Sequence, residues 1–181
     1  MKALRIILFA ALAAAQLAVP GWMVIRQELT LRDGRSFKLR TAPVDPYDAF
    51  RGRFVALSFQ AAAVPATEPW QRGQQVFAKL REGTDGFATV EELVARPTAG
   101  ANDAVQVEVG WYRVVFPFDR YYLEESKAPA AEEAYRIASR AERPAWVTIR
   151  VRNGYAAIEE LFIDGKPILQ YLRDHPPAAD R

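Results

Sequence analysis

From Ile6 to Ile25 the chain carries twenty residues without a charge, and charged positions return only at Arg26. At 1.5 Å per residue this run spans about 30 Å, the thickness of a bilayer's hydrocarbon core. Nine of the twenty are Leu, Ile, Phe or Val. At the bilayer centre they favour insertion by about 3–5 kcal/mol, which Gln16, Pro20 and Gly21 reduce. Trp22 stands near the end of the run, where an interfacial indole belongs. The pattern predicts a retained membrane-spanning helix. A cleaved signal peptide is the rival: Met1–Arg5 would be its basic region, Ile6–Ala15 its apolar region and Ala13–Ala15 its cleavage site. The apolar run continues through Leu17, Val19, Val24 and Ile25, which a secretory signal does not need. A buried core helix would show a polar face, and only Gln16 interrupts this one.

Beyond the run the period of the pattern changes to two. Glu28–Arg32 and Ser36–Arg40 alternate on either side of Asp33-Gly34, which predicts a hairpin. Thr41–Phe50, with Pro43, Pro46, Asp45 and Asp48, reads as a loop. Arg53–Phe59 reads as a central strand, and the Pro-containing Gln60–Arg72 as a second loop. Gln75–Leu80 and Phe87–Val90 form a second predicted hairpin around Glu82–Gly86. Val105, Val107 and Val109 alternate, and Val105–Val115 is predicted as one strand ending at Phe116-Pro117-Phe118. Trp146–Arg152 and Tyr155–Ile163 flank Asn153-Gly154, a type I′ turn signal, and Asp164-Gly165 closes the second of them.

One helix is predicted outside the apolar run, over Ala128–Arg143. It has Pro129 in its first turn, acids early, Arg136 and Arg140 late, and Glu132 four residues before Arg136. The fold class is mainly β: an N-terminal transmembrane helix, then one antiparallel β-barrel-like or sandwich domain with one short helix. The domain boundaries expected are 1–26 for the anchor, 27–172 for the β domain and 173–181 for a loose tail.

Composition adds exclusions. The 181 residues are 50% hydrophobic and 25% charged, which suits one globular core and argues against disorder. There is no cysteine, so disulfides, thiolate–metal sites and thiol catalysis are ruled out. The 24 Lys and Arg are interleaved with 22 Asp and Glu rather than gathered on one element, which points away from nucleic acid. Lys2 and Arg5 precede the apolar run, while Arg26, Arg32, Arg35, Lys38 and Arg40 follow it. Charge alone therefore leaves the orientation open, and the signal-like N-terminus favours export of the domain.

Gly52, Arg53, Phe54, Leu57 and Phe59, preceded by Pro43-Val44-Asp45-Pro46, resemble the defining motif of the GDYXXLXY family of uncharacterised, membrane-anchored bacterial proteins. Arg53 stands where the motif has an acid, and Phe54 and Phe59 stand for tyrosines. The resemblance extends to Phe118–Glu125 and Leu161–Ile168. It implies an inner-membrane anchor and a periplasmic β domain working beside integral membrane proteins, with no assigned chemistry and no cofactor.

The residues singled out are these. Arg51-Gly52 is either an interaction edge or a Gly that lets the chain enter a strand. Asp45 either binds a cation with Asp48 or holds its own turn. Arg120, Tyr122 and Glu124 alternate, so they share one face as a binding surface or a rim ion pair. His175, the only histidine, sits in a Pro-flanked tail unsuited to a metal site or a triad. Trp70, Trp111 and Trp146 read as core.

Two functions compete. The first is a non-enzymatic module that binds or scaffolds integral membrane partners, held to the lipid bilayer by residues 6–25. The second is a degenerate or cryptic hydrolase resembling the signal peptidases, which also join an anchor to a β domain. Its order-compatible pair is Ser36 as nucleophile and Lys79 as base, and that lysine would need its pKa lowered. Ser36 lacks the Ser-x-x-Pro turn of those enzymes. No metal ligand set and no cofactor motif is present in the sequence.

Overall fold

The computed structural model describes residues 2–42, 54–63, 70–98 and 100–176. It opens with helix α1, Lys2–Asp33, the one helix among the described residues long and apolar enough to cross a membrane. Its large apolar side chains are bare, from 53% exposed at Ile25 to 73% at Phe9 and Leu17. Its C-terminal part packs: Thr30 is buried, Leu29 and Leu31 are partly so, and the Arg26 guanidinium lies over the Tyr155 ring.

Glu28–Arg32 is therefore helix, not the first strand of a hairpin. A helix that already exists adds one hydrogen bond for each residue it fixes, and Glu, Leu and Arg are good helix formers. The end is set at Gly34, whose amide donates to the Thr30 carbonyl at 2.9 Å. A Cβ at Gly34 would collide with that carbonyl and sit 3.0 Å from the Val151 nitrogen and 3.1 Å from the Arg150 Cβ.

One residue later the chain is a strand. β1 (Arg35–Ala42) pairs antiparallel with β9 (Ala145–Arg152), and β9 with β10 (Tyr155–Ile163). With β3 (Ser58–Phe59) and β11 (Lys166–Pro167) they make a five-stranded sheet of order β11-β10-β9-β1-β3. Phe37, Leu39, Val147, Ile149, Val151, Leu161 and Ile163 alternate onto its buried face. The β9–β10 turn places Asn153 at φ 51° and Gly154 at φ 79°, the left-handed pair a type I′ turn requires.

A second sheet, β5-β4-β6-β7, consists of β4 (Gln75–Glu82), β5 (Ala88–Val94), β6 (Ala104–Val109) and β7 (Val114–Val115). The hairpin expected at β4–β5 is present. Val105–Val115 is two strands rather than one: the Gly110 amide donates to the Arg113 carbonyl at 2.8 Å and turns the chain back. Arg53–Phe59 likewise divides. Its described part forms β2 (Phe54–Ala56), paired with β8 (Arg120–Tyr122), and β3, paired with β1.

The sheets are antiparallel and face one another in a half-barrel or sandwich around one apolar cluster. Helix α2 (Ala128–Arg140) closes it with Ala128, Ala131, Tyr135 and Ala138. A further helix absent from the sequence expectation, α3 (Ile168–Asp174), buries Ile168 and Tyr171, so the ordered chain runs past residue 172. His175 follows it with its ring stacked on Tyr171 at 4.3 Å, rather than lying in a loose tail.

Candidate functional site

The motif residues divide by strand geometry. Successive side chains alternate between faces, so in β2 Val55 turns inward while Phe54 and Ala56 face out. Leu57 and Phe59 are core, and the Phe59 ring meets Phe116 and Phe118 edge-on at 5.7 and 5.5 Å. Phe54 lies opposite Tyr122, ring centres 5.8 Å apart, and the Arg120 guanidinium sits 4.8 Å from the Phe54 ring centre. Tyr122 is 66% exposed. Phe54, Arg120 and Tyr122 thus form one aromatic and cationic surface on the β2–β8 ribbon.

Glu124 does not join that surface. It lies past β8, its carboxylate 2.8 Å from Lys127 and its carbonyl accepting from the Lys127 and Ala128 amides, which starts α2. Tyr121, on the inner side of the ribbon, donates to the Glu160 carboxylate at 2.7 Å. Burial first, then that carboxylate, holds its hydroxyl pKa above the ordinary value. Asp45, Asp48, Arg51, Gly52 and Arg53 lie outside the described residues.

The Ser36–Lys79 pair is set on two different sheets. Ser36 is exposed on β1 opposite Arg150, and Lys79 is on β4 opposite Glu92. Lys79 Nζ donates to Glu92 at 3.1 Å and lies 3.5 Å from Glu91. The Glu92 hydrogen bond and both carboxylate charges raise its pKa. A general base needs the opposite shift, toward the neutral amine. No group of three or more His, Asp or Glu side chains among the described residues is placed to hold a metal ion.

A shallow cleft of about 350 Å³ lies between α2 and α3, lined by Ser126, Lys127, Ala130, Leu169, Leu172 and Arg173. Lys127 is already engaged by Glu124, and the cleft gathers no pair of groups suited to acid–base work.

The tryptophans separate. Trp70 packs against the core. Trp146 is half-buried on the outer face of the first sheet, stacked on Phe162 at 5.4 Å and met edge-on by Phe87. Trp111 is not core: it is 69% exposed in the β6–β7 turn beside Tyr112, which is 87% exposed. The signal that could have found this is a slip in the alternation. From Val105 the buried positions are odd through Val109 and even from Val114 on, so a turn must intervene.

Compared with known proteins, one family profile, described as GDYXXLXY protein, matches residues 16–161. No curated protein and no solved structure matches the chain.

Proposed function

The chain belongs to the GDYXXLXY family, and from that premise we propose that it is a single-pass membrane protein whose β domain binds or scaffolds integral membrane partners without chemistry of its own. The observation that carries the reading is the contrast along α1. Its apolar length is bare to its surroundings, while Thr30 and Gly34 are buried against the domain. An exposed apolar helix of this length is stable in hydrocarbon and not in water. A single residue, Gly34, separates helix from strand. The domain is thus held close to the bilayer, where partners are membrane proteins. In this reading the membrane is a bacterial inner membrane and the domain is periplasmic, an orientation supported by the short basic segment before the apolar run.

The Phe54–Arg120–Tyr122 surface is the proposed contact for the partner. Exposed aromatic and Arg side chains side by side are what binding hot spots use. Alkaline carbonate extraction of membranes tests the anchor, with retention in the pellet expected. Site-directed photocrosslinking at Tyr122 then tests the surface. A discrete crosslinked membrane protein is expected, lost with Arg120→Ala and kept with Ser36→Ala or Lys79→Ala. Loss of capture with the latter two alone would place the partner contact elsewhere on the domain and overturn the surface.

A further inference from the structure

The β6–β7 turn is an unusual place for two large rings. Its central residues are Trp111 and Tyr112, where Asn or Gly would suit a two-residue turn better. The pair is exposed, and the Arg72 guanidinium covers the Trp111 ring at 4.2 Å. Arg113 beside them is exposed as well. Trp, Tyr and Arg in one bare cluster is the composition of a membrane–water interface.

The turn lies at the end of the domain from which α1 departs. α1 meets the domain at Arg26, its guanidinium 4.4 Å from the ring centre of Tyr155, at the tip of the β9–β10 hairpin. That same tip is joined to the second sheet: Val105 is bridged to Gly154, and the Gln106 amide donates to the Gly154 carbonyl at 2.9 Å. At the opposite end the two sheets are tied by Arg40–Asp85, at 3.3 Å, and by Phe87 against Trp146. β4 runs from Phe77, under Gly154, toward that far end. β6 is antiparallel to β4, so after Val105 it runs back past the tip. The four steps from Val105 to Val109 cover about 13 Å. Arg26 directly follows the apolar run. Trp22, about one helical turn before Arg26, marks the interface. The tip therefore stands on the water side of it, and β6 has the length to carry its turn into the headgroup layer.

We infer that Trp111, Tyr112, Arg72 and Arg113 form a second membrane contact, a lipid-facing foot. Together with α1 it fixes the tilt of the domain on the bilayer and so the direction in which the Phe54–Arg120–Tyr122 surface faces. The inference rests on the reading of α1 as a membrane span.

The chain has no cysteine, so single labels are unambiguous. The full chain is reconstituted in protein-free phosphatidylcholine–phosphatidylglycerol vesicles with a fluorophore on Tyr112→Cys, Val19→Cys or Thr84→Cys. Iodide quenching of each is then read. The expectation is several-fold weaker quenching at 112 and 19 than at 84, which sits in the exposed β4–β5 turn. A label at 112 as open as 84, with 19 shielded, overturns the foot and leaves the anchor standing. A label at 19 as open as 84 overturns the anchor and the foot with it.

Discussion

Gly154 sits directly over Phe77. A Cβ at Gly154 would lie 2.7 Å from the Phe77 ring, and its φ of +79° is one that L side chains rarely adopt. The hairpin tip of the first sheet thereby reaches the second sheet through a residue with no side chain. Steric overlap and left-handed strain act together here. Gly154→Ala is expected to destabilise the domain by about 2–4 kcal/mol. A lowered urea midpoint for the detergent-solubilised chain checks this, and an unchanged midpoint contradicts the close contact.

Gly34 is the corresponding hinge point between α1 and β1, though its constraint is space rather than φ. Its surroundings are backbone and a Cβ, which cannot swing away as a long side chain could. Gly34→Ala is expected to cost about 1–3 kcal/mol by overpacking. Hydrogen exchange localises the effect: faster exchange of the amides from Thr30 to Gly34 is expected, with β4–β6 unaffected.

Tyr121 and Glu160 tie the β2–β8 ribbon to β10. Tyr121→Phe removes the donor but leaves the carboxylate accepting from the Leu161 amide at 3.0 Å. The expected loss is about 1 kcal/mol, since the pair is only partly buried. Its pH dependence has a definite sign. The folded-state pKa lies above the ordinary 10.0, held there by burial and then by Glu160. The contribution is complete below the unfolded value and fades as pH climbs through the folded one. The difference in urea midpoint between wild type and Tyr121→Phe is therefore flat from neutrality to about pH 9 and shrinks in stronger alkali. A difference that grows with alkali contradicts this.

Much of the fold was legible along the chain. β9 alternates strictly ahead of Asn153-Gly154, β10 returns from that turn, and both turn residues take the positive φ that this dipeptide suggests. The β4–β5 hairpin and α2 follow from the same local rules. The candidate site was less legible. Arg120 and Tyr122 do share a face, as alternation requires, but their partner Phe54 comes from another strand and Glu124 turns to Lys127 instead. Nothing in the spacing of Ser36 and Lys79 foretold that Glu91 and Glu92 would hold the lysine as a cation.

Local pattern determined the apolar helix, the mainly β class and the hairpins closed by their own turn residues. Those features depend on neighbours within a few residues, where backbone propensity and side-chain period act directly. Tertiary structure decided the rest. Glu28–Arg32 alternates like a strand, yet it continues α1, whose end is set by Gly34 packed against Val151 and Arg150. β1 lies between β9 and β3, a choice between pairings far apart in the chain that no local pattern encodes. Trp111, read as core along with Trp70 and Trp146, stands exposed because the β6–β7 turn reverses the alternation before its ring could turn inward.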